Sequence, residues 1–286
     1  MNKSFWLYSA VIIFSLSKTC TGQVIDLTHK KEVSINFVFV KGGTFEMGDL
    51  WGMGFSTDEK PVHVVNVNSF WISDCEITNE MFADFLNEAG NPVENGSPWL
   101  DIKDSDCKIL LRKGTFYPKI GYEKHPAVEV SWYGAKAFAE WLGCRLPKEA
   151  EWEYAARDGG KNILFPTGRN LTFNQANISG VAGDDIYKET APVCSFPPNK
   201  LKIFDLAGNV WELCSDWYSV SYYFNSEYDN PAGPDSGGVK VIRGGSWKYS
   251  RWNCRTATRG MFRPDETRND VGFRIVKDVK PEEPGY

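Results

Sequence analysis

The segment Gly208-Asn209-Val210-Trp211-Glu212-Leu213-Cys214-Ser215-Asp216-Trp217 constrains the fold of this chain more than any other. Large aromatics are interleaved there with carboxylates. A tryptophan buries a wide apolar surface and fixes the packing around it, so acids on the same stretch must find donors or a cation once carried inside. Asp205-Leu206-Ala207-Gly208 leads into this segment, and Arg243-Gly244-Gly245-Ser246-Trp247 follows it further along the chain. Aromatic anchors between glycine turns predict a loop-rich domain rather than a helical bundle. The 11 tryptophans, 26 glycines and 15 prolines among 286 residues agree with that reading.

A hydrophobic content of 42% is enough to build one sizeable core. The formal net charge of −5 comes from dispersed acids and bases. There is no basic stripe, which excludes nucleic acid as a partner class. Lys3 followed by the apolar run Phe5 to Leu16 reads as an export signal over residues 1–22, cleaved after Gly22. That run is too short to span a bilayer, and no later segment does so. The expected location is therefore periplasmic or secreted. A lipid anchor at Cys20 is the lesser alternative, because Ser17-Lys18-Thr19 is a poor lipidation context. With the signal removed, Cys75, Cys107, Cys144, Cys194, Cys214 and Cys254 remain. No CxxC spacing occurs among them, which argues against a zinc ribbon or a thioredoxin-like site. In an oxidising compartment some of them can pair, with the connectivity left open.

Residues 23–34 read as a linker, residues 35–278 as one domain, and residues 279–286 as a tail. Phe37 to Val40 and Thr44 to Gly48 read as two short strands around a Gly42-Gly43 turn, and Val62 to Val67 alternates like a third strand. Thr78 is placed to cap a helix with Met81, Phe82, Phe85 and Leu86 on its apolar face. Ser131 is placed to cap a second helix, burying Trp132, Ala135, Phe138, Ala139 and Leu142. Pro147 is expected at the first helical position of a third, Lys148 to Arg157. Residues 90–124 form an insertion without periodicity. His63 and His125 are more simply read as hydrogen-bonded structural histidines than as ligands, and with His29 they are the chain's whole complement. That is too few for an iron site of two histidines and a carboxylate.

Taken together, these motifs resemble the formylglycine-generating enzyme (sulfatase-modifying factor) family over nearly the whole domain. The matching blocks, in family order, begin with Gly42-Gly43-Thr44-Phe45-Glu46-Met47-Gly48, Glu59-Lys60-Pro61-Val62-His63 and Glu76-Ile77-Thr78-Asn79. His125-Pro126-Ala127-Val128-Glu129-Val130-Ser131-Trp132 and Arg145-Leu146-Pro147-Lys148-Glu149-Ala150-Glu151-Trp152-Glu153-Tyr154 follow. Gly208 to Glu212, Arg243 to Trp247, and Gly272-Phe273-Arg274 complete the set. The resemblance implies a loop-rich α+β fold akin to C-type lectins. It also implies calcium at two loops, which suits the carboxylate, amide and carbonyl oxygens available. One loop would use Asp205, Gly208, Val210 and Glu212, with Asp205 where the family commonly has asparagine. The other would use Asn177, Ile178, Asp185 and Tyr187. Read from the residues alone, these acids could equally cap loops by accepting backbone amides.

Catalytic members of the family oxidise a protein cysteine to an aldehyde with oxygen, using a cysteine pair just after the Gly-Gly-Ser motif. Paired thiolates suit Cu(I). Counted forward from Ser246, the pair's places are held by Tyr249 and Cys254. Counted backward from Gly272-Phe273-Arg274, Cys254 falls outside the catalytic place altogether. The expectation is therefore a domain without Cu(I) and without the family's oxidase activity, acting as a calcium-stabilised binding or scaffold module. The alternative is an active enzyme with a rearranged site at Ser246, Tyr249 and Cys254. A groove lined by Trp247, Arg251, Trp252 and Arg259 would suit a peptide, protein or glycan, although the same residues could simply pack the final strands.

Overall fold

The computed structural model describes residues 24–26, 34–54 and 56–280. The expected export signal over residues 1–22 and the end of the tail lie outside the described residues. In chain order the strands and helices begin with β1 (Val24–Asp26), β2 (Asn36–Val40), β3 (Gly43–Met47), β4 (His63–Val67), β5 (Phe70–Ser73) and α1 (Asn79–Ala89). Two hairpins follow, β6 (Val93–Glu94) with β7 (Ser97–Pro98), and β8 (Ile109–Arg112) with β9 (Thr115–Pro118). Then come α2 (Trp132–Trp141), α3 (Glu149–Ala156), β10 (Trp211–Trp217), β11 (Lys240–Arg243), β12 (Gly260–Phe262), β13 (Val271–Gly272) and β14 (Val276–Asp278). Among the described residues no helix is long and apolar enough to cross a membrane.

The first sheet has the order β1-β2-β5-β14, antiparallel throughout. Its central strands are buried on both faces because alternate residues feed different cores. Phe37 and Trp71 point to a cluster with Phe82, Phe85, Phe138 and Phe273. Val38, Val40, Phe70 and Ile72 point to a second cluster with Trp152, Ala155 and Val241. The second sheet has the order β12-β11-β10-β13, with β10 and β13 parallel. It carries Trp211, Leu213, Val241 and Ile242 into the same two clusters.

The three expected helices are present, with one difference. Thr78 accepts from the Met81 amide and Ser131 from the Gly134 amide, so the first two caps stand where the sequence placed them. In α3 the cap is Lys148, so the first helical residue is Glu149 and not Pro147, because the carboxylate of Glu151 reaches back to the Lys148 amide at 2.9 Å. Glu151 is also gripped by Arg145 at 2.7 Å. The Gly42-Gly43 turn does not join a hairpin. β2 pairs with β1 and β5, whereas β3 pairs with β4, so the chain changes sheets at these glycines. A Cβ on Gly42 would stand 2.3 Å from the Val67 carbonyl oxygen, so this crossing needs a bare backbone. Val24–Asp26, within the stretch read as linker, forms the edge strand of the first sheet.

No strand or helix occurs between Arg157 and Val210. Side chains hold this region in their place: Asn177 donates to the Glu189 carbonyl at 2.8 Å, Thr256 to the Ile163 carbonyl at 2.9 Å and Arg274 to the Phe204 carbonyl at 2.8 Å. Buried guanidiniums do the same for loops elsewhere. Arg157 donates to Glu153 at 2.9 Å and to the Gly48 carbonyl at 2.6 Å. Arg243 donates to Glu153 and to the carbonyls of Thr256, Ala257 and Thr258. A disulfide joins Cys75 to Cys194 across a sequence separation of 119.

Candidate functional site

The Gly244-Gly245-Ser246 turn at the end of β11 is the pivot of the site. Gly245 has a left-handed φ of 75°. A Cβ there would stand 2.5 Å from the Cys254 sulfur, so the turn closes directly over that thiol. Cys254 is fully buried, and burial pushes its thiol up to about 12. A reactive or metal-holding cysteine needs the opposite environment. Cys107, Cys144 and Cys214, the other unpaired cysteines among the described residues, sit on other elements. The Ser246 hydroxyl is buried and donates to Asp270 at 3.1 Å. Tyr249 is 37% exposed, with its ring set edge-on to Trp211 at 5.8 Å.

The four expected groove residues do not form one surface. The indole of Trp247 donates to the Asn269 carbonyl. Arg251 is exposed and leans over Trp252, which lies against Phe165. Arg259 is buried between the rings of Tyr218 and Tyr223 and bonds Glu149 through two nitrogens at 2.7 and 2.9 Å. That pairing holds α3 to the strand region behind the site.

A cavity of about 320 Å³ opens instead on the outer side of Tyr249. It is lined by Asp104, Asp106 and Glu129 and, from the chain after Ser246, by Lys248, Thr267, Arg268, Asn269 and Asp270. Burial, with Asp101, Asp104 and Asp106 adding repulsion, raises the Glu129 carboxyl to about 7. Sequence reading missed this wall. Its signal was the density of acids from Asp101 to Asp106 in the insertion, next to the His125–Trp132 block.

The two expected calcium loops meet. The Asn209 amide donates to the Asn177 carbonyl at 2.8 Å, and the Asn209 side chain bridges Glu76, Ala191 and Asn177. In the Asn177 loop the Asp185 carboxylate accepts from the amides of Ile178 and Tyr187 at 3.1 and 3.2 Å. Asn177 donates through its amide nitrogen to the Glu189 carbonyl, yet its Oδ1 is buried with no donor. An orphaned amide oxygen beside a fully buried carboxylate is a donor set that fits a hard cation. The Asp205 loop is more crowded. Glu212 is held by Arg274 at 2.5 and 2.6 Å and by the Trp152 indole at 2.6 Å. Asp205 accepts from the Cys194 amide, and burial raises its carboxyl to about 6. Glu76 lies against both and is pushed well above the usual carboxylate range by burial and by their charge. Three buried acids thus face one guanidinium, an excess of negative charge that a cation would relieve. The carbonyls of Gly208 and Val210 belong to the same loop.

Residues 26–279 match the family described as sulfatase-modifying factor enzyme 1-like domain. The chain is 40% identical over 246 residues to the serine/threonine-protein kinase Pkn1 of Chlamydia trachomatis, covering 85% of this chain but only 38% of that protein. It is 34% identical to the formylglycine-generating enzyme of Streptomyces coelicolor, covering 85% of this chain and 89% of that enzyme. It is 29% identical to bovine inactive C-alpha-formylglycine-generating enzyme 2, covering 85% of this chain and 88% of that protein. Among solved structures, PvdO from Pseudomonas aeruginosa superposes with a TM-score of 0.73 at 25% identity, covering 92% of this chain and 100% of PvdO.

Proposed function

The chain belongs to the sulfatase-modifying factor enzyme 1-like family, and we propose that it is an exported, calcium-stabilised binding or scaffold module without cysteine-to-formylglycine oxidase activity. The observation that carries this reading is the state of Cys254. It is a lone thiol, fully buried and raised to about 12, and the count forward from Ser246 puts Tyr249 at the other place where catalytic relatives keep a cysteine. Cu(I) held by two thiolates does not fit these residues. The bovine relative described as inactive spans the same domain, which supports a noncatalytic role. Export is supported by the charged and apolar start of the chain and by the Cys75–Cys194 disulfide, since such bonds persist in oxidising compartments. Calcium at the Asn177 loop would be held by Asn177, Asp185 and the carbonyls of Ile178 and Tyr187. At the Asp205 loop it would be held by Asp205, Glu212 and the carbonyls of Gly208 and Val210. Its role would be to neutralise buried charge and fix the sheetless region that carries the Gly-Gly-Ser turn.

The identity to the Streptomyces coelicolor enzyme along most of its length favours a second reading, a family enzyme acting through Ser246, Tyr249 and Cys254. One assay separates the two. The mature protein is incubated with a Cys-x-Pro-x-Arg peptide, Cu(I), oxygen and a thiol reductant, and the peptide is read by mass spectrometry. The binding-module reading expects no aldehyde. Aldehyde that disappears in Cys254→Ala would overturn it. Thermal unfolding with calcium or a chelator tests the metal: melting should fall on chelation, and its calcium response should shrink in Asp185→Asn, which disables one of the two loops. Identical melting in calcium and chelator would sink the calcium proposal.

A further inference from the structure

Most arginines of this chain are paired with its own carboxylates. Among the described residues only Arg112, Arg169 and Arg251 stand outside every ion pair. Arg112 lies apart on β8. Arg169 and Arg251 are far apart in sequence but meet on the surface, because Arg251 donates to the Asn170 side chain at 3.4 Å. Both are exposed. Each guanidinium also lies over an indole, Arg169 over Trp51 at 5.6 Å and Arg251 over Trp252 at 5.2 Å. Trp252 keeps 39% of its surface open. Two like charges are thus brought together with no carboxylate paired to either, in a chain whose net charge is −5.

The platform under these charges is built, not incidental. The Asp49 carboxylate accepts from the amides of Trp51 and Met53 at 3.2 Å and of Gly54 at 2.8 Å, which fixes the Trp51 turn. The Asp49 amide donates to the Glu59 carbonyl at 3.0 Å. The Glu59 carboxylate holds Arg255 through two nitrogens at 2.7 and 2.6 Å, and the Nε of Arg255 donates to the Trp252 carbonyl at 3.0 Å. One buried ion pair therefore positions both indoles. The Arg169 segment is set by backbone bonds exchanged between Phe165 and Gly168 at 2.8 Å and by the full burial of Leu171. Phe165 in turn packs on Trp252 at 6.1 Å. A guanidinium stacked on a fixed ring loses little freedom when it binds an anion.

We propose that this surface binds an anionic oligosaccharide, one carrying carboxylate or sulfate groups. The planar forks of Arg169 and Arg251 match either group through paired N–H donors. The open part of the Trp252 indole offers a flat apolar face on which the C–H side of a sugar ring can lie. An acidic peptide is the poorer fit. No strand occurs between Met47 and His63, between Arg157 and Val210, or between Arg243 and Gly260, so the segments that build the platform offer no strand edge for a peptide main chain to pair with. This rests on the binding-module reading and names the class of ligand that the module would take.

The test is calorimetric titration of the mature protein at low ionic strength with three probes. These are chondroitin 6-sulfate hexasaccharide, the neutral hexamer of N-acetylglucosamine, and a capped glutamate–glycine peptide of the same charge as the sulfated sugar. The sulfated sugar should bind at least tenfold more tightly than either of the others. Arg169→Gln and Arg251→Gln, both at exposed side chains, should each weaken it several-fold without moving the melting temperature. Arg112→Gln should leave it unchanged, and Trp252→Leu should weaken it while leaving any contact with the peptide as it was. Failure of the sulfated sugar to bind would overturn the proposal. So would equal binding of sugar and peptide, because the site would then take anions in general, and so would unchanged affinity in both arginine variants. Aldehyde formation in the separate turnover assay would reject the noncatalytic reading while leaving the sugar result to stand or fall by itself.

Discussion

Arg274→Met should be among the most damaging single changes in the molecule. The guanidinium makes two charge-assisted bonds to Glu212 at 2.5 and 2.6 Å, and donates to the carbonyls of Ser73 and Phe204 at 3.1 and 2.8 Å. Removing one partner of a buried ion pair costs about 3–5 kcal/mol, because the other charge is left without compensation. Here Glu76 and Asp205 add to the burden, since Arg274 is the cation that both of them feel. The stranded carbonyls add a further ~1–3 kcal/mol. Against a domain stability of about 5–15 kcal/mol, the variant should lie close to unfolding at neutral pH. Urea denaturation followed by tryptophan fluorescence would read this as a shift of the midpoint towards zero denaturant. The double variant Arg274→Met/Glu212→Gln should recover a substantial part, because the amide keeps an acceptor for the Trp152 indole and the charge most directly paired with Arg274 is removed. A loss below about 1 kcal/mol for the single variant, or no recovery in the double, would refute the view that this cluster is held by charge compensation.

Three further outcomes follow from the same structure. Replacing Cys75 and Cys194 by serine opens a loop of 119 residues, which chain-entropy reasoning values at about 5 kcal/mol; calorimetry should show melting lowered by many degrees, and a reductant should do the same to the parent protein. Burial, with Glu149 nearby, raises the Asp216 carboxyl from 3.8 to about 7. The stability tied to its protonation is therefore full below pH 3.8 and lost as pH rises through about 7, on the order of 4 kcal/mol in all. Asp216→Asn keeps the bond from the Glu149 amide and should flatten that part of the pH profile, gaining more at pH 8 than at pH 4 in urea titrations; equal gains at both would contradict the assignment. Gly245→Ala should cost about 1–3 kcal/mol by thermal unfolding, through strain at a left-handed residue and contact with the Cys254 sulfur. That loss should shrink in a Cys254→Ala background.

What could be read from the sequence was what depends on short spacing. Thr78 and Ser131 cap helices because a hydroxyl reaches an amide three residues on, and that relation is written in the chain. The Pro147 expectation missed the first helical position by two residues because the deciding group was Glu151, whose carboxylate serves Arg145 and the Lys148 amide together. The Gly42-Gly43 hairpin was misread for a similar reason. Hydrophobic alternation identifies strands but not their neighbours, and here β2 and β3 turn to different sheets because each finds its partner elsewhere in the chain.

The site separates along the same line. The Asn177 and Asp205 loops came from the family resemblance, each with its oxygens within a short run of the chain. Their contact through Asn209, and the capture of Glu212 by Arg274, come from residues 32 and 62 positions apart. The same distance in sequence hid the acidic cavity, whose walls come from the insertion after α1, from Glu129 and from the segment after Ser246. It also explains Arg259. A conspicuous arginine near the Gly-Gly-Ser motif reads as a ligand-facing cation, yet Glu149, 110 residues away, draws it into the interior. A guanidinium buried with a matched carboxylate is lost to recognition. On that physical ground Arg259 belongs to the frame behind the Gly-Gly-Ser turn, whereas Arg251 stays exposed over Trp252.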